Sequence, residues 1–326
     1  MCKLTDNRRV CVGIVSYNRK DLLISLLNDL SNQSFPIYEI IIVDNCSSDG
    51  TPDSLIINEI IDDYVPGQLS DSVWRDIIIH YYRNVENVGG SGGFAKVFEL
   101  FLSGDSDCIW AMDDDVSPEK DCLSEMMKYL DADAKVCVAC RGDDNYTDYA
   151  ITGYDLSTLR LFRYQDCKRG RINSNELTDP YVEVKDMTFE GPLFARKIVE
   201  EIGLPDAGYF ILFDDTDYAC RASEYTKIRY IRNAKLHKMI IPAKIKNDKW
   251  GWKAYYKMRN SVYLERKLGK NIRVRYVRPL LRMGDLWLRA ILRKRFSRAQ
   301  WIVKAYRDGI KGNMGRTYAP EDIVIE

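Results

Sequence analysis

A chain of 326 residues, 46% hydrophobic and 29% charged, is long enough for one large α/β domain with an appendage or for two domains, and its composition is that of a globular protein rather than a fibre or a disulfide scaffold. The opening MCKLTDNRRV lacks the apolar core of a secretory signal, no stretch reaches the roughly 20 apolar residues that span a bilayer, and nine irregularly spaced cysteines predict reduced thiols in a cytoplasmic protein. The net charge of zero conceals a division: residues 1–237 hold 25 Lys+Arg and 41 Asp+Glu, net −16, and residues 238–326 hold 23 and 7, net +16.

From Val10 the chain alternates apolar β-rich runs with amphipathic ones. VCVGIVS reads as a buried strand, and NRKDLLISLLNDLSNQ as a helix, with Leu22, Leu23, Leu26, Leu27 and Leu30 at helical spacing and Asn18 placed to cap it. EIIIVD is a second strand ending at Asp44, NCSSDGT a turn-rich loop, and DIIIHYYR a third strand. After NVENVGGSGG, a helix is expected from Phe94, with Phe94, Val97, Phe98 and Phe101 on one face. CIWAM is a further strand and PEKDCLSEMMKYL a further helix. The middle, roughly residues 141–190, is polar and ambiguous, with short β-like pieces such as YVEVKDMTF. GPLFARKIVEEIG reads as a turn and helix, and FILFDDTDYACRASE follows. Beyond Lys238 the pattern is helical, aromatic and basic.

Strand–helix alternation predicts an α/β fold with a largely parallel sheet covered on both faces. Ligands of such sheets bind outside the carboxyl ends of the strands. Tyr17, Asn18, Asp44, Asn87 to Gly93, and Asp113 to Asp115 all follow strands, so they are expected on one rim.

Three segments there could carry chemistry. In WAMDDD, Asp113 and Asp115 are two apart at a strand end and suit a hard cation such as Mg²⁺ or Mn²⁺, held by carboxylates and substrate phosphates. The plainer reading is a solvated acidic loop. His237 strengthens the metal reading, since an imidazole beside two carboxylates suits Mn²⁺; the alternative is an exposed histidine between Lys235 and Lys238. NVGGSGG opens a helix, where glycines allow close backbone approach and the helix N-terminus attracts phosphate, although it matches neither a Walker loop nor a dinucleotide fingerprint. DDTD offers Asp215 as a general base, with Asp214 beside it to raise its pKa or hold it, or else an ordinary helix cap. Cys137 and Cys140 lie in an apolar run and read as buried strand cysteines.

VSYNR, IIVDNCSSDGT, a DxD after a strand and DDTDYACR, in that order, resemble the family 2 inverting glycosyltransferases of GT-A fold. NVGGSGGF together with WAMDDD is most similar to the bacterial galactofuranosyltransferases and their polysaccharide-synthesis relatives. The resemblance implies a Rossmann-like, mixed but mostly parallel sheet over residues 1–237; it fades after His237 apart from YYKMRNSVYL, and the residues beyond, 238–326, read from their own pattern as a basic helical extension. It implies that Tyr17, Asn18 and Arg19 line the nucleotide pocket and Asp44 contacts the base. Asn87, Gly89, Gly90 and Gly92 would shape the donor-sugar pocket. Asp113 and Asp115 would bind Mn²⁺ or Mg²⁺ with His237 as a further ligand, Asp114 would touch the donor sugar or the ribose, and Asp215, with Asp214, would be the base. The motif reads FDD where polymerising galactofuranosyltransferases carry WDD, a departure bearing on donor and acceptor rather than reaction type.

The implied activity is transfer of galactofuranose from UDP-galactofuranose to a saccharide or lipid-linked acceptor; the alternatives are rhamnosyl or other hexosyl transfer from dTDP- or UDP-sugars. A nucleotidyltransferase would need a basic phosphate-clamping loop, for which only Arg19 and Lys20 stand early in the chain. A nucleic-acid-binding module would use the +16 tail, which lacks zinc spacing, a basic zipper or an RNP-like strand. The expectation is therefore peripheral contact with an anionic membrane through Trp287, Leu288, Ile291 and Leu292 at the inner face of the cell membrane, with an oligomer contact or packing on the acidic body as alternatives and no nucleic acid.

Overall fold

The computed structural model describes residues 7–160, 167–240, 251–319 and 322–323; most of the opening decapeptide lies outside them. In chain order the elements are β1 (Val10–Ser16), α1 (Lys20–Ser31), β2 (Glu39–Asp44), α2 (Thr51–Ile57), β3 (Leu69–Trp74), β4 (Ile77–Arg83), α3 (Gly89–Ser103), β5 (Cys108–Asp113), β6 (Val116–Pro118), α4 (Cys122–Met127) and β7 (Val136–Cys140). There follow β8 (Tyr149–Tyr154), β9 (Lys168–Asn173), β10 (Tyr181–Val184), β11 (Pro192–Ala195), α5 (Arg196–Ile202), α6 (Asp214–Ala222), β12 (Ile228–Lys238), α7 (Lys253–Leu268), α8 (Arg278–Leu292) and α9 (Phe296–Lys311).

One sheet runs β10-β12-β7-β11-β5-β1-β2-β4-β3, with β6 on β12 and with β8 and β9 as a separate hairpin. The pairs β1–β2, β1–β5, β2–β4 and β7–β12 are parallel, whereas β3, β10 and β11 pair antiparallel. The sheet is thus mixed, and mostly parallel through its N-terminal half, as the alternation predicts. Parallel strands are buried on both faces and read as continuous apolar runs. In β1 and β2 every residue is buried. Val10, Val12, Ile14, Ile40 and Ile42 face α1, α2 and α4. Cys11, Val15, Ile41 and Val43 face α3, with α5 and α6 on the same side.

Three local outcomes differ from the sequence reading. Asn18 does not cap α1: it takes a left-handed backbone with φ 53, and its side chain accepts a hydrogen bond from the Ser48 amide at 2.7 Å. α3 begins at Gly89, five residues before the expected start, so the glycine segment is mostly the first turn of a helix. Pro192–Ala195 is not a turn but the strand that separates β5 from β7. The eight described cysteines, Cys137 and Cys140 among them, form no disulfide with one another. No described helix is long and apolar enough to cross a membrane.

Helices α7 to α9 enclose a core of Tyr255, Tyr256, Met258, Val262, Trp301 and Ile302. Phe210, from the loop before α6, belongs to that cluster, which ties the C-terminal helices to the segment carrying Asp214 and Asp215.

Candidate active site

The parallel register brings the strand ends together: Ser16 lies opposite Asp44, Val15 opposite Asp113, and Asp44 opposite Arg83. Tyr17 is exposed on this rim. Asp44 is fully buried, and its carboxylate accepts hydrogen bonds from the Ser47 amide (2.8 Å) and Tyr81 Oη (3.0 Å), with Arg83 Nε at 3.2 Å. Three partners thus hold the carboxylate expected to contact a base. Asp44 here organises the turn that follows β2.

The aspartate triplet divides its work. Asp114 is buried and accepts from Ser16 Oγ (2.8 Å), the Tyr17 amide (3.1 Å) and Arg19 Nη1 (2.9 Å). It braces the end of β1. Arg19 Nη1 also lies 3.1 Å from Asp115. Asp113 is half-buried, and its carboxyl is held well above the usual range by burial first, then by the charges of Glu190, Asp115 and Asp114. A carboxylate in that surrounding is relieved by a cation. Asp113 and Asp115, hard oxygen donors at a strand end, therefore fit an ion whose remaining ligands are phosphate oxygens and water.

His237 does not join them. Its Nδ1 lies 2.9 Å from Asp143 and its Nε2 3.0 Å from Glu119, because β12 pairs with β6 and sets His237 opposite Ser117. Among the described residues no three His, Cys, Asp or Glu side chains gather to hold a metal. The expected Asp113–Asp115–His237 set is not assembled among the described residues: both imidazole nitrogens face other carboxylates.

The glycine segment is built for close packing. Gly89 has φ 78, and a Cβ there would lie 2.0 Å from the Phe210 carbonyl oxygen, so only glycine fits. The Ser91 amide donates to that same carbonyl at 3.2 Å. Asn87 Oδ1 accepts from the Gly89 amide (2.8 Å) and Asn45 Nδ2 (3.0 Å), anchoring the start of α3 to the loop after β2. Beside Gly90 a Cβ would meet nothing within 4 Å; it borders open space at the helix N-terminus, where the backbone dipole favours an anion. The side chain of Gly92's position would meet only Val88.

The Phe210 turn leads into the acidic pair. Phe210, Leu212 and Phe213 are all left-handed, each at a cost of about 1–3 kcal/mol. Helix α7 holds them: fully buried Asn260 donates through Nδ2 to the carbonyls of Tyr209 (3.1 Å), Ile211 (2.7 Å) and Leu212 (2.9 Å), and Arg259 Nη2 donates to Tyr209 O at 2.9 Å. α6 then starts at Asp214 without a side-chain cap, so neither aspartate caps it and both sit in its first turn, where the helix dipole favours negative charge.

Asp215 lines a cavity of about 370 Å³ with Lys168, Arg171, Asp186, Thr188, Tyr230 and Lys257. Asp214 is buried behind it. Both carboxyls are raised above the ordinary range, chiefly by burial, and Asp215 further by the charges of Asp214 and Asp186, with Lys168 opposing. Asp186 is itself paired with Lys168 and accepts from Thr216 Oγ1 at 3.3 Å. The result is a carboxyl poised to take up a proton at the wall of an open, polar cavity.

Residues 11–203 match the family model described as Glycosyl transferase family 2. The chain belongs to that family. Its relatives include an abequosyltransferase of Salmonella typhimurium, 34% identical over 45% of this chain and 38% of the relative. A galactofuranosyltransferase of Mycolicibacterium smegmatis is 26% identical over 66% of this chain and 65% of its own length. The chain thus spans between about two fifths and just under two thirds of the curated relatives it matches. Among solved structures it is similar to a mannosyltransferase from Pyrobaculum calidifontis in complex with GDP-Man and Mn²⁺, with TM-score 0.57, 14% identity and 94% and 88% of the two chains covered. It is also similar to S. aureus TarS residues 1–349 in complex with UDP-GlcNAc, with TM-score 0.52, 13% identity and 93% and 81% covered. Both likenesses are of fold: the family 2 chain has the GT-A architecture that the motifs implied.

The family match ends at residue 203, before Asp214, Asp215 and α7. Residues that the sequence reading of this family 2 chain missed lie mostly there or in the polar middle. Arg259 and Asn260 left a signal, a polar pair inside the aromatic helix YYKMRNSVYL. Lys168, Asp186 and Lys257 left none, because their proximity arises from a hairpin and a crossing helix that no periodicity foretells.

Proposed function

We propose that the chain is an inverting, divalent-metal-dependent glycosyltransferase that moves a hexosyl group from a nucleoside-diphosphate donor to a hydroxyl of a saccharide or lipid-linked acceptor, in cell-surface polysaccharide synthesis at the cytoplasmic face of the membrane. The observation that carries this reading is Asp215: a carboxyl raised by burial and by like charges, lining a cavity of about 370 Å³. Residues 1–237 supply donor site and base, and residues 238–326 support them and reach the surroundings.

In this reading Tyr17, Asn18 and Arg19 flank the nucleotide, and the start of α3, with Gly90 open to space, faces the diphosphate and donor sugar. Asp113 and Asp115 hold Mn²⁺ or Mg²⁺. The bound ion supplies charge to offset that on the departing diphosphate. Asp215 accepts the proton of the acceptor hydroxyl as its oxygen bonds to the anomeric carbon and the bond from that carbon to the phosphate oxygen breaks on the opposite face, which inverts the centre. Asp214 and Asp186 keep Asp215 basic enough for the task by opposing its negative charge, and Lys168 keeps it within reach of ionisation.

UDP-galactofuranose is the preferred donor, supported by the galactofuranosyltransferase relatives. The abequosyltransferase relative supports a second reading, transfer of rhamnose or another hexose from a dTDP- or UDP-sugar. Incubation with a panel of UDP- and dTDP-sugars separates them by which donor is slowly hydrolysed without acceptor. Asp215→Asn is expected to lower turnover by roughly 10²–10⁴-fold while nucleotide binding persists. EDTA abolishes turnover, and Mn²⁺ or Mg²⁺ restores it. Undiminished transfer by Asp215→Asn removes the base assignment, full activity in EDTA removes the ion, and release of pyrophosphate in place of nucleoside diphosphate replaces the reaction class.

A further inference from the structure

We propose that α8 is an interfacial anchor that lies flat on an anionic bilayer with its leucines in the lipid. The helix is inside out. Two of its three arginines turn inward: Arg278 is fully buried and donates to the carbonyls of Asp155 (2.9 Å) and Thr158 (3.0 Å), and buried Arg282 reaches Glu265 and Ser261 Oγ. Met283, Leu286 and Ile291 pack toward the C-terminal core, but five large apolar side chains turn outward: Leu280, Leu281, Trp287, Leu288 and Leu292 are all exposed, Leu292 at 74%. A helix whose leucines served the domain core would be rotated the other way.

The apolar face does not end with the helix. It continues into an open groove of about 440 Å³ between α8 and α9, lined by Trp287, Ile291, Phe296 and Val303. Exposed cations border it: Arg289, Arg293, Lys294 and Arg295 at one end and Arg273 at the other. The one acid on this stretch, Asp285, is neutralised by Arg289 at 2.9 Å. At about 1.5 Å per residue the helix is about 22 Å long, and it is not among helices able to span a bilayer. An apolar stripe with a tryptophan and a basic border, lying in the plane, is the physical form of an interfacial helix.

Charge decides the occupant. A second copy seated on this face across a two-fold axis would bring the same basic border against itself. Anionic headgroups neutralise that border while the acyl region receives the leucines. The inference specifies how the C-terminal helices meet a membrane, and it rests on no assignment of donor, base or ion.

The test is flotation of the full chain with vesicles of phosphatidylcholine alone and of phosphatidylcholine with phosphatidylglycerol. Binding is expected with phosphatidylglycerol and weaker by about tenfold or more without it, accompanied by a blue shift of Trp emission that Trp287→Phe removes. Leu281→Glu/Leu288→Glu is expected to lose vesicle binding while keeping the wild-type melting temperature and donor hydrolysis, because both side chains are exposed. Equal binding to both vesicles, retained binding by the double variant, or a dimer that the variant dissociates without any vesicle binding would each overturn the proposal. Donor hydrolysis is read separately, so none of those results touches the functional reading.

Discussion

Asp114 accepts hydrogen bonds from Ser16, Tyr17 and Arg19, whereas Asp113 beside it faces the like charges of Glu190 and Asp115. The two residues therefore respond oppositely to loss of charge. Asp114→Ala leaves the buried Ser16 hydroxyl without its acceptor, whereas half-exposed Arg19 keeps Asp115, and is expected to cost about 1–3 kcal/mol for that one buried group, read as a fall in melting temperature. Asp113→Asn relieves repulsion and is expected to raise the melting temperature while Mn²⁺ binding by calorimetry is lost. The acidic pair gives a second opposition. Burial and like charge raise the carboxyls of Asp214 and Asp215 above their unfolded values. Their contribution to stability is complete below the unfolded carboxyl range, about 3.9 for Asp, and is lost as pH rises through the raised folded values. Transfer needs the ionised base, so turnover rises over that same interval. A pH profile of turnover is expected to show its acid limb displaced upward from the ordinary carboxyl range, with stability falling across the limb, and Asp215→Asn to remove the displaced stability term. At this scale the sequence marked the polar residues at the strand ends but not which of their oxygens already have partners. Asp44, Asp114 and His237 are legible as polar residues after strands, and their partners Tyr81, Arg83, Arg19, Glu119 and Asp143 come from other elements.

Among elements, the contact that shapes the site is between the start of α3, the Phe210 turn and α7. Gly89 lets the turn approach, and Asn260 and Arg259 hold its three left-handed residues. Neither residue lines the cavity with Asp215, so their effect on chemistry passes through the backbone that presents it. Asn260→Ala is expected to lower kcat with little change in donor KM, and Gly89→Ala to do the same more severely, because its Cβ overlaps the Phe210 carbonyl. Steady-state kinetics on the cognate donor, with melting temperatures as a control, separate this positioning role from general unfolding. Element periodicity was the most legible layer. The all-apolar runs of β1 and β2 and the spacing of Leu23, Leu26, Leu27 and Leu30 foretold a parallel sheet and its covering helix, since burial on both faces leaves that pattern. Two things escaped it. Glycines at the start of α3 mask a helix because their propensity is poor and their purpose is packing. The four residues Pro192–Ala195 are too short to display a period, yet their pairing between β5 and β7 makes the sheet mixed.

Across the whole molecule, the opposed charges of the two regions meet in part. Lys267 pairs with Asp206 and Asp217, Lys270 with Glu224, and Arg278 lies 3.9 Å from Asp155. Composition alone left packing on the acidic body and contact with an anionic surface as rivals; in the structure the inward cations serve the first, while the basic border of α8 is exposed. The boundary between the regions is also less than a cut between independent units. β12 runs through His237 to Lys238, Phe210 belongs to the C-terminal core, and the carbonyls of the turn before Asp214 are satisfied by α7. A chain truncated after residue 250 keeps every residue of the family match, the strand-end aspartates and both members of the acidic pair. It is nevertheless expected to lose transfer, because removing α7 exposes Phe210 and frees the carbonyls of Tyr209, Ile211 and Leu212 from the donors that fix the turn. Donor-nucleotide binding and transfer measured on soluble truncated protein check this: transfer at the rate of the full chain would show that the turn holds its shape without α7 and would leave the C-terminal helices with no part in presenting Asp215.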